Sequence, residues 1–313
     1  MTIDGINITH YGLTLLAGSY NTIFRYPKRK SVSFTNFAEK DGIIPDLRKI
    51  EFEPRQITLN FSINHNSYNV FKDRYVNFIS HITAPGYRLF NFGDGLLYNL
   101  RYDRTTTFKT PFIFENSSGF GIFTINFIED DFSVFNVESV PSYLSDKLRG
   151  RYIINGKDFT EYGIYPEGEL GEVLKYPDVK EAFTDGKIFY TDTVKLKNKE
   201  ITIPLWMIAD SREDFINNYY AFFNQFNKTG SQTLYIKEIS EQVDVYYLEC
   251  SAFTVNFCEK IMAKLRIKLM IPIITWFNTI NQIGCTLLYD PISNVLLGDE
   301  NYFALAVCNE HIE

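Results

Sequence analysis

Cysteine, methionine, tryptophan and histidine are scarce in this sequence, at four, four, two and four of 313 residues, and each scarcity excludes something. Cys250, Cys258, Cys285 and Cys308 all fall near the carboxyl end, with no CxxC pair and no Cys/His cluster of zinc-ligand spacing. They read as free thiols serving as small hydrophobes in a reducing compartment. Long apolar runs are missing too. The longest, Leu269 to Phe277, is interrupted by Pro272 and falls far short of the ~20 residues that span a bilayer. Met1 to His10 has neither the basic start nor the apolar stretch of a secretory leader, so a soluble protein is expected. Positive charge is in deficit: 31 Lys and Arg against 38 Asp and Glu give a net charge of −7 and a pI near 5.3. That balance excludes a surface built to neutralise phosphates. It would suit a wall that DNA slides past without sticking.

What the sequence has in quantity is aromatic side chains, 16% of residues and mostly Phe and Tyr, within a 45% hydrophobic composition. Such residues suit half-buried pleated surfaces, so strands are expected to dominate a chain folded throughout. The chain also repeats itself. Residues 3–13, Ile-Asp-Gly-Ile-Asn-Ile-Thr-His-Tyr-Gly-Leu, return 151 positions later as Ile-Asn-Gly-Lys-Asp-Phe-Thr-Glu-Tyr-Gly-Ile. A repeat of this length constrains fold, domain count and assembly together.

Downstream the correspondence continues. Tyr26-Pro27 recurs as Tyr176-Pro177 at an offset of 150, and Asp41-Gly42 recurs as Asp185-Gly186 at 144, so the first copy carries six extra residues between Pro27 and Asp41. An insertion there reads as a surface loop. Ile57-Thr58-Leu59 matches Ile201-Thr202-Ile203, Gly86 matches Gly230, and Phe123, Ile125 and Phe127 match Leu265, Ile267 and Leu269. Between these lies one amphipathic helix per copy. Phe71, Tyr75, Phe78, Ile79 and Ile82 make an apolar stripe on a 3.6-residue period, and Phe215, Tyr219, Phe222, Phe223 and Phe226 repeat its spacing. Ser67, and Ser211 or Asp210, stand at N-cap positions; Pro85-Gly86 and Thr229-Gly230 end the helices.

These features predict a mainly β (α+β) chain of two tandem β-sandwich modules, each with one helix: residues 1–135, a connector over 136–151 with a short helical turn at Tyr143 to Leu148, and residues 152–275. A carboxyl-terminal extension over 276–313 has no counterpart in the first copy. Its strand-like runs at Thr286 to Tyr289 and Phe303 to Val307 predict a hairpin, packed on the second module or reaching a neighbouring subunit.

A search for chemistry yields no catalytic, cofactor-binding or metal-binding residue. His10 is replaced by Glu161 in the second copy and His81 by Gln225, His65 precedes the helix, His311 lies close to the carboxyl end and none recurs in the other copy, so each reads as a solvated or core histidine. Ser117-Ser118-Gly119-Phe120-Gly121 lacks the third glycine of a phosphate cradle and reads as a turn. Phe92-Gly93-Asp94-Gly95 reads as a hairpin turn. Glu129-Asp130-Asp131 lacks the spacing of a calcium loop and reads as a solvated strand end. An enzyme would need a convergent polar cluster, and the paired positions offer none.

The opening Ile-Asp-Gly-Ile-Asn-Ile-Thr-His-Tyr-Gly-Leu resembles the start of bacteriophage distal tail proteins. The order of strands, one amphipathic helix at Tyr68 to Ile82, a glycine turn and further strands resembles the module of tail-tube, distal-tail and hub proteins. The resemblance implies a sandwich flanked by a helix, whose strands join those of neighbours into a ring around a DNA channel. It implies a structural, non-enzymatic virion protein without cofactors, assembled in the host cytoplasm. Its partners would be copies of itself, in a hexamer or a pseudo-sixfold trimer, and adjacent tail proteins. A second tube-type module here takes the place of the carbohydrate-module-like domain usual in distal tail proteins, as in hubs with two such modules per chain. The alternative is a duplicated β-sandwich binding module for surface glycans. Such binders cluster Trp and Tyr on exposed loops, whereas Trp206 and Trp276 lie far apart.

Overall fold

The computed structural model describes residues 1–38, 40–93, 95–113, 119–132, 150–168, 171–180, 182–184, 187–189, 195–274, 285–287, 289–290, 295–296 and 306–308. The backbone forms two compact units. The first comprises Met1–Thr35, Ile44–Tyr176 and Glu200–Ile271; the second gathers Asn36–Ile43, Pro177–Lys199 and the described residues from Pro272 onward.

The chain is mainly β. Its amino-terminal half contributes β1 (Thr2–Ile3), β2 (Ile6–Asn7), β3 (Leu13–Leu15), α1 (Tyr20–Ile23), β4 (Phe34–Thr35), β5 (Ile44–Pro45), β6 (Arg55–His65), α2 (Tyr68–Thr83), β7 (Arg88–Asn91), β8 (Leu97–Ile113) and β9 (Gly119–Glu129). Seven of these strands form an antiparallel sheet ordered β2-β1-β7-β8-β9-β6-β3. The long strand β8 turns the corner of this sheet. Residues Leu97 to Leu100 pair with β7, and from Arg101 onward it pairs with β9 through three register shifts. Bulges of that kind bend a strand so that one sheet folds over itself.

The opening motif has a direct physical basis. Asp4-Gly5 is the two-residue loop between β1 and β2, with φ of 49° and 81°. Positive φ at both positions is what a type I′ hairpin turn requires, and Asp-Gly supplies it at least cost. Ile8 to Tyr11 then make a 3₁₀ turn, capped by the Asn7 side chain and ended by Gly12 in the left-handed region. Along β6, Ile57, Leu59, Phe61 and Ile63 point inward on a period of two and meet Phe123, Ile125 and Phe127 of β9. The α2 helix closes this core with Phe71, Phe78 and Ile82, each burial being worth roughly 1.5–3 kcal/mol.

The following half rebuilds the same sheet with β10 (Tyr152–Ile154), β11 (Lys157–Asp158), β12 (Ile164–Pro166), α3 (Gly171–Leu174), β13 (Ala182–Thr184), β14 (Lys187–Phe189), β15 (Lys199–Ala209), α4 (Arg212–Asn224), β16 (Gln232–Ile236), β17 (Glu241–Phe257) and β18 (Ile261–Ile271). Its order, β11-β10-β16-β17-β18-β15-β12, matches the first strand for strand. Asn155-Gly156 repeats the hairpin turn with φ of 49° and 81°, and Gly163 ends the 3₁₀ turn at φ 68°. A Cβ at Gly163 would lie 2.5 Å from the Ile208 carbonyl oxygen, so only glycine fits. Isolated bridges Arg29–Phe52 and Val179–Leu196 stand at offsets of 150 and 144, so the six extra residues of the first copy fall between the two arms of that ribbon.

Ser211 is an N-cap, accepting from the Asp214 N–H at 3.0 Å. Ser67 holds the matching position without a side-chain bond, and its own N–H donates instead to His65 Nδ1 at 2.9 Å. In the second unit, the β13–β14 hairpin belongs to the arm of the second copy. The extension contributes β19 (Cys285–Leu287), β20 (Tyr289–Asp290), β21 (Val295–Leu296) and β22 (Ala306–Cys308), with β19 paired to β22 and β20 to β21. The helical turn expected at Tyr143 to Leu148, together with Ser117, Ser118, Asp94, Asp185, Gly186, Trp276 and His311, lies outside the described residues.

Candidate interaction surface

The polar groups weighed in the sequence do not converge. His10 is exposed, and His65 serves the helix start. His81 bridges two residues of the opening motif, 3.0 Å from the Tyr11 hydroxyl and 3.0 Å from Asp4, with Arg88 3.6 Å from the same carboxylate. Burial raises the Asp4 carboxyl, but the Leu89 N–H, His81 and Arg88 together hold it below the usual carboxylate range. Its counterparts Asn155, Gln225 and Gln232 are neutral amides.

Glu129 is not part of a solvated strand end. It is buried and paired with Arg55, because the strand end is covered by the chain between α1 and β4. Asp130 pairs with Arg101 at 2.5 Å and accepts from the Tyr87 hydroxyl at 3.0 Å. Among the described residues there is no cluster of His, Cys, Asp or Glu that could hold a metal ion, and no helix long and apolar enough to cross a membrane. Gly119, Phe120 and Gly121 open β9, and Gly93 and Gly95, both at positive φ, lie between β7 and β8.

The extensive built surface lies inside the first unit, where one sheet meets the other. Residues 20–29 leave the first sheet and lie along β17 and α4 of the second. Phe24 packs edge-on against Phe215 with centroids 5.3 Å apart and also meets Phe253 and Phe257. Tyr26 stacks flat on Phe223 at 4.1 Å and meets Tyr247 edge-on at 5.7 Å. Aromatic pairs of this geometry add about 0.5–1.5 kcal/mol each beyond the area they bury.

Hydrogen bonds fix the register of this aromatic plug. The Tyr219 hydroxyl donates to the Phe24 carbonyl at 2.5 Å and the Tyr247 hydroxyl to that of Pro27 at 2.9 Å. Arg25 donates to the carbonyls of Cys250 and Ser251 at 3.0 and 2.9 Å, and the Arg29 N–H to that of Leu248 at 2.8 Å. The outer edge of β17 is thereby capped, as an open edge must be if it is not to pair elsewhere. From behind, buried Arg55 donates to the carbonyls of Ile23 and Arg25 at 3.1 and 2.7 Å. Burial pushes the hydroxyls of Tyr219 and Tyr247 well up and the Cys250 thiol to about 12.

The two sheets share one topology, so every seam residue has a counterpart. Val173 turns into its own core as Ile23 does, which sets Leu174 opposite Phe24 and Tyr176 opposite Tyr26. The strand registers with β9 and β18 set Tyr102 opposite Tyr247, Thr105 opposite Cys250 and Phe108 opposite Phe253. Along the helices, Tyr75, Val76 and Ile79 match Tyr219, Tyr220 and Phe223. Exposure separates the two sets. Phe24, Tyr26 and Phe253 are 0%, 3% and 6% exposed, whereas Leu174, Tyr176 and Phe108 are 45%, 53% and 42% exposed, and Val76 is 53% exposed against 1% for Tyr220. The helix stripes looked equal in sequence. Tyr75 and Ile79 are nevertheless only half-buried where Tyr219 and Phe223 are buried, because a plug covers α4 and, among the described residues, none covers α2.

The sequence did not reveal the seam. Its signal was present in Tyr26-Pro27 and Tyr176-Pro177, a conserved pair inside the repeat with no helix or strand to explain it. No protein-family model and no curated protein matches the chain. Among solved structures, it is similar to the Dit protein (gp 19.1) of SPP1, described as a paradigm of the hub adsorption apparatus in phages that infect Gram-positive hosts. The identity is 11% over 86% of this chain and 97% of that one, with a TM-score of 0.29.

Proposed function

We propose that this protein is a non-enzymatic structural component of a bacteriophage tail, a ring or hub around the DNA channel that joins the tail to its adsorption apparatus. The observation that supports it most is the repetition of one sheet-and-helix module in a single chain, with unlike surfaces of the two copies in contact. An arrangement in which one face meets a different face of its copy is the kind that extends into rings when the rotation closes. The modules are residues 1–135 and 152–275, products of an internal duplication, followed by the extension over 276–313. The partners are further copies of the chain, three or six to a ring, and the tail proteins above and below. The net charge of −7 suits a channel wall past which DNA moves without being held.

The test is an image of the assembled particle with the protein labelled. The expected result is a closed ring at the distal tail with both modules at equal radius around the axis. A particle that carries no copy of this protein, or a ring in which only one module reaches the channel, would overturn the reading.

A further inference from the structure

We infer that the seam inside one chain is the template for a seam between chains: Leu174 and Tyr176 of one molecule plug the face formed by Tyr75, Val76, Ile79, Tyr102 and Phe108 of the next. The inference deepens the ring reading by naming its contact surface, and it rests on that reading only for the biological setting.

The argument is complementarity by equivalence. Within the chain, a plug of one module and a receiving face of the other bury each other, which uses up one plug and one face. The equivalent plug of the second copy and the equivalent face of the first carry large apolar side chains that are exposed: Leu174, Tyr176, Val76 and Phe108. The fit is kept at polar positions as well. Tyr75 stands where Tyr219 donates to the Phe24 carbonyl, and Tyr102 stands where Tyr247 donates to the Pro27 carbonyl. Lys175 stands where Arg25 reaches the Cys250 and Ser251 carbonyls, so across the new seam it would face those of Thr105 and Thr106. The outer edge of β8 beyond Arg101 is the counterpart of the edge of β17 that residues 20–29 cap. An open strand edge beside exposed aromatic side chains is a site for strand-like addition by another chain.

Scale also favours a second copy as occupant. The outer plug carries smaller side chains, Leu for Phe and Lys for Arg, and the receiving helix offers Val and Ile for Tyr and Phe. Both sides are reduced together, as two surfaces that meet each other would be.

The test uses the full chain with Cys258 replaced by Ser and a cysteine pair introduced as Leu174→Cys with Phe108→Cys, matching the Phe24 and Phe253 contact. On mild oxidation the pair is expected to yield covalently linked chains, which neither single variant gives. A second pair, Tyr176→Cys with Ile79→Cys, matches the closer contact of Tyr26 and Phe223 and is expected to link as well. Independently, Leu174→Asp with Tyr176→Asp should weaken self-association by at least ~10-fold, the scale of losing a central apolar anchor, while leaving the circular dichroism of the fold unchanged. Failure of both pairs to link chains, or an oligomer mass unaffected by the aspartates, would overturn the inference. Chains that link through these pairs but are absent from tail particles would instead overturn the ring-in-tail reading and leave the seam standing.

Discussion

Phe24 with Tyr26 and Leu174 with Tyr176 occupy equivalent places in two copies of one module, yet the first pair is buried and the second exposed. The difference does not come from local structure, since α1 and α3 are each four residues long and lead into the same Tyr-Pro step. It comes from what lies opposite. Burial at this position belongs to the contact rather than to the module, so the same motif acts as core in one place and as surface in the other. The sequence has responded accordingly, with Phe24 and Arg25 at the inner plug where the outer one has Leu174 and Lys175.

The comparison breaks most sharply at Phe24. Phe24→Ala removes a fully buried ring that touches four others and is expected to cost near the top of the ~3–5 kcal/mol range for such truncations, read as a lower midpoint in urea unfolding. Leu174→Ala in the monomeric protein is expected to cost under about 1 kcal/mol, since an exposed side chain loses little. Equal costs at the two positions would mean that the inner seam contributes nothing to stability.

Arg55 is the next lever. It is buried, paired with Glu129, and holds two carbonyls of the inner plug; the second copy has Lys199 and Ile271 at the corresponding places. Arg55→Ala leaves Glu129 charged and two carbonyls without their donor, and is expected to cost about 3 kcal/mol, the lower end for a broken buried pair. Replacing both partners, Arg55→Met with Glu129→Ile, should recover part of that loss because no buried charge remains. A double variant as unstable as the single one would show that the carbonyl bonds, not the stranded carboxylate, carry the effect.

Much of this fold was legible in sequence because it is written in periodicity. The alternation of Ile57, Leu59, Phe61 and Ile63, the strand of Phe123, Ile125 and Phe127, and the glycines of the opening turn all act within one element or between neighbours, where spacing specifies orientation. The seam was not legible, because Phe24 and Phe253 meet across more than two hundred residues and no period links them. The polar set Asp4, His81 and Arg88 is not legible for a related reason. Taken one at a time the histidines show no recurrence, whereas the informative signal is that three positions change together, from titratable side chains to the amides Asn155, Gln225 and Gln232.

The Asp4 carboxyl gives the two modules different responses to acid. The Asp4 carboxyl is held below its unfolded value of 3.8, so the stability it contributes is fully present above that value and is lost as pH falls through the lower folded value. The group is part-exposed, so solvent screening limits the effect to under about 1 kcal/mol. Asp4→Asn, which copies Asn155, should flatten the acid limb of the urea midpoint against pH. An unchanged acid limb in Asp4→Asn would assign the acid response to other carboxylates.

The smallest effect is kinetic and compares the seams directly. Cys250 lies beneath the inner plug with its thiol pushed up to about 12, so at neutral pH almost none of it is thiolate and labelling requires the plug to lift. Thr105 is its counterpart beneath the outer seam, half-buried in the single chain. In Thr105→Cys the new thiol should be labelled quickly when the protein is dilute and slowly when it is assembled, while Cys250 stays slow at both concentrations. Peptide mass after timed labelling reads both sites in one sample. Protection of residue 105 that rises with concentration, beside a constant Cys250, is the signature of a second seam closing over a first that never opened. Protection that is the same at all concentrations would mean that β8 is covered within a single molecule, and the parallel between the two plugs would fail.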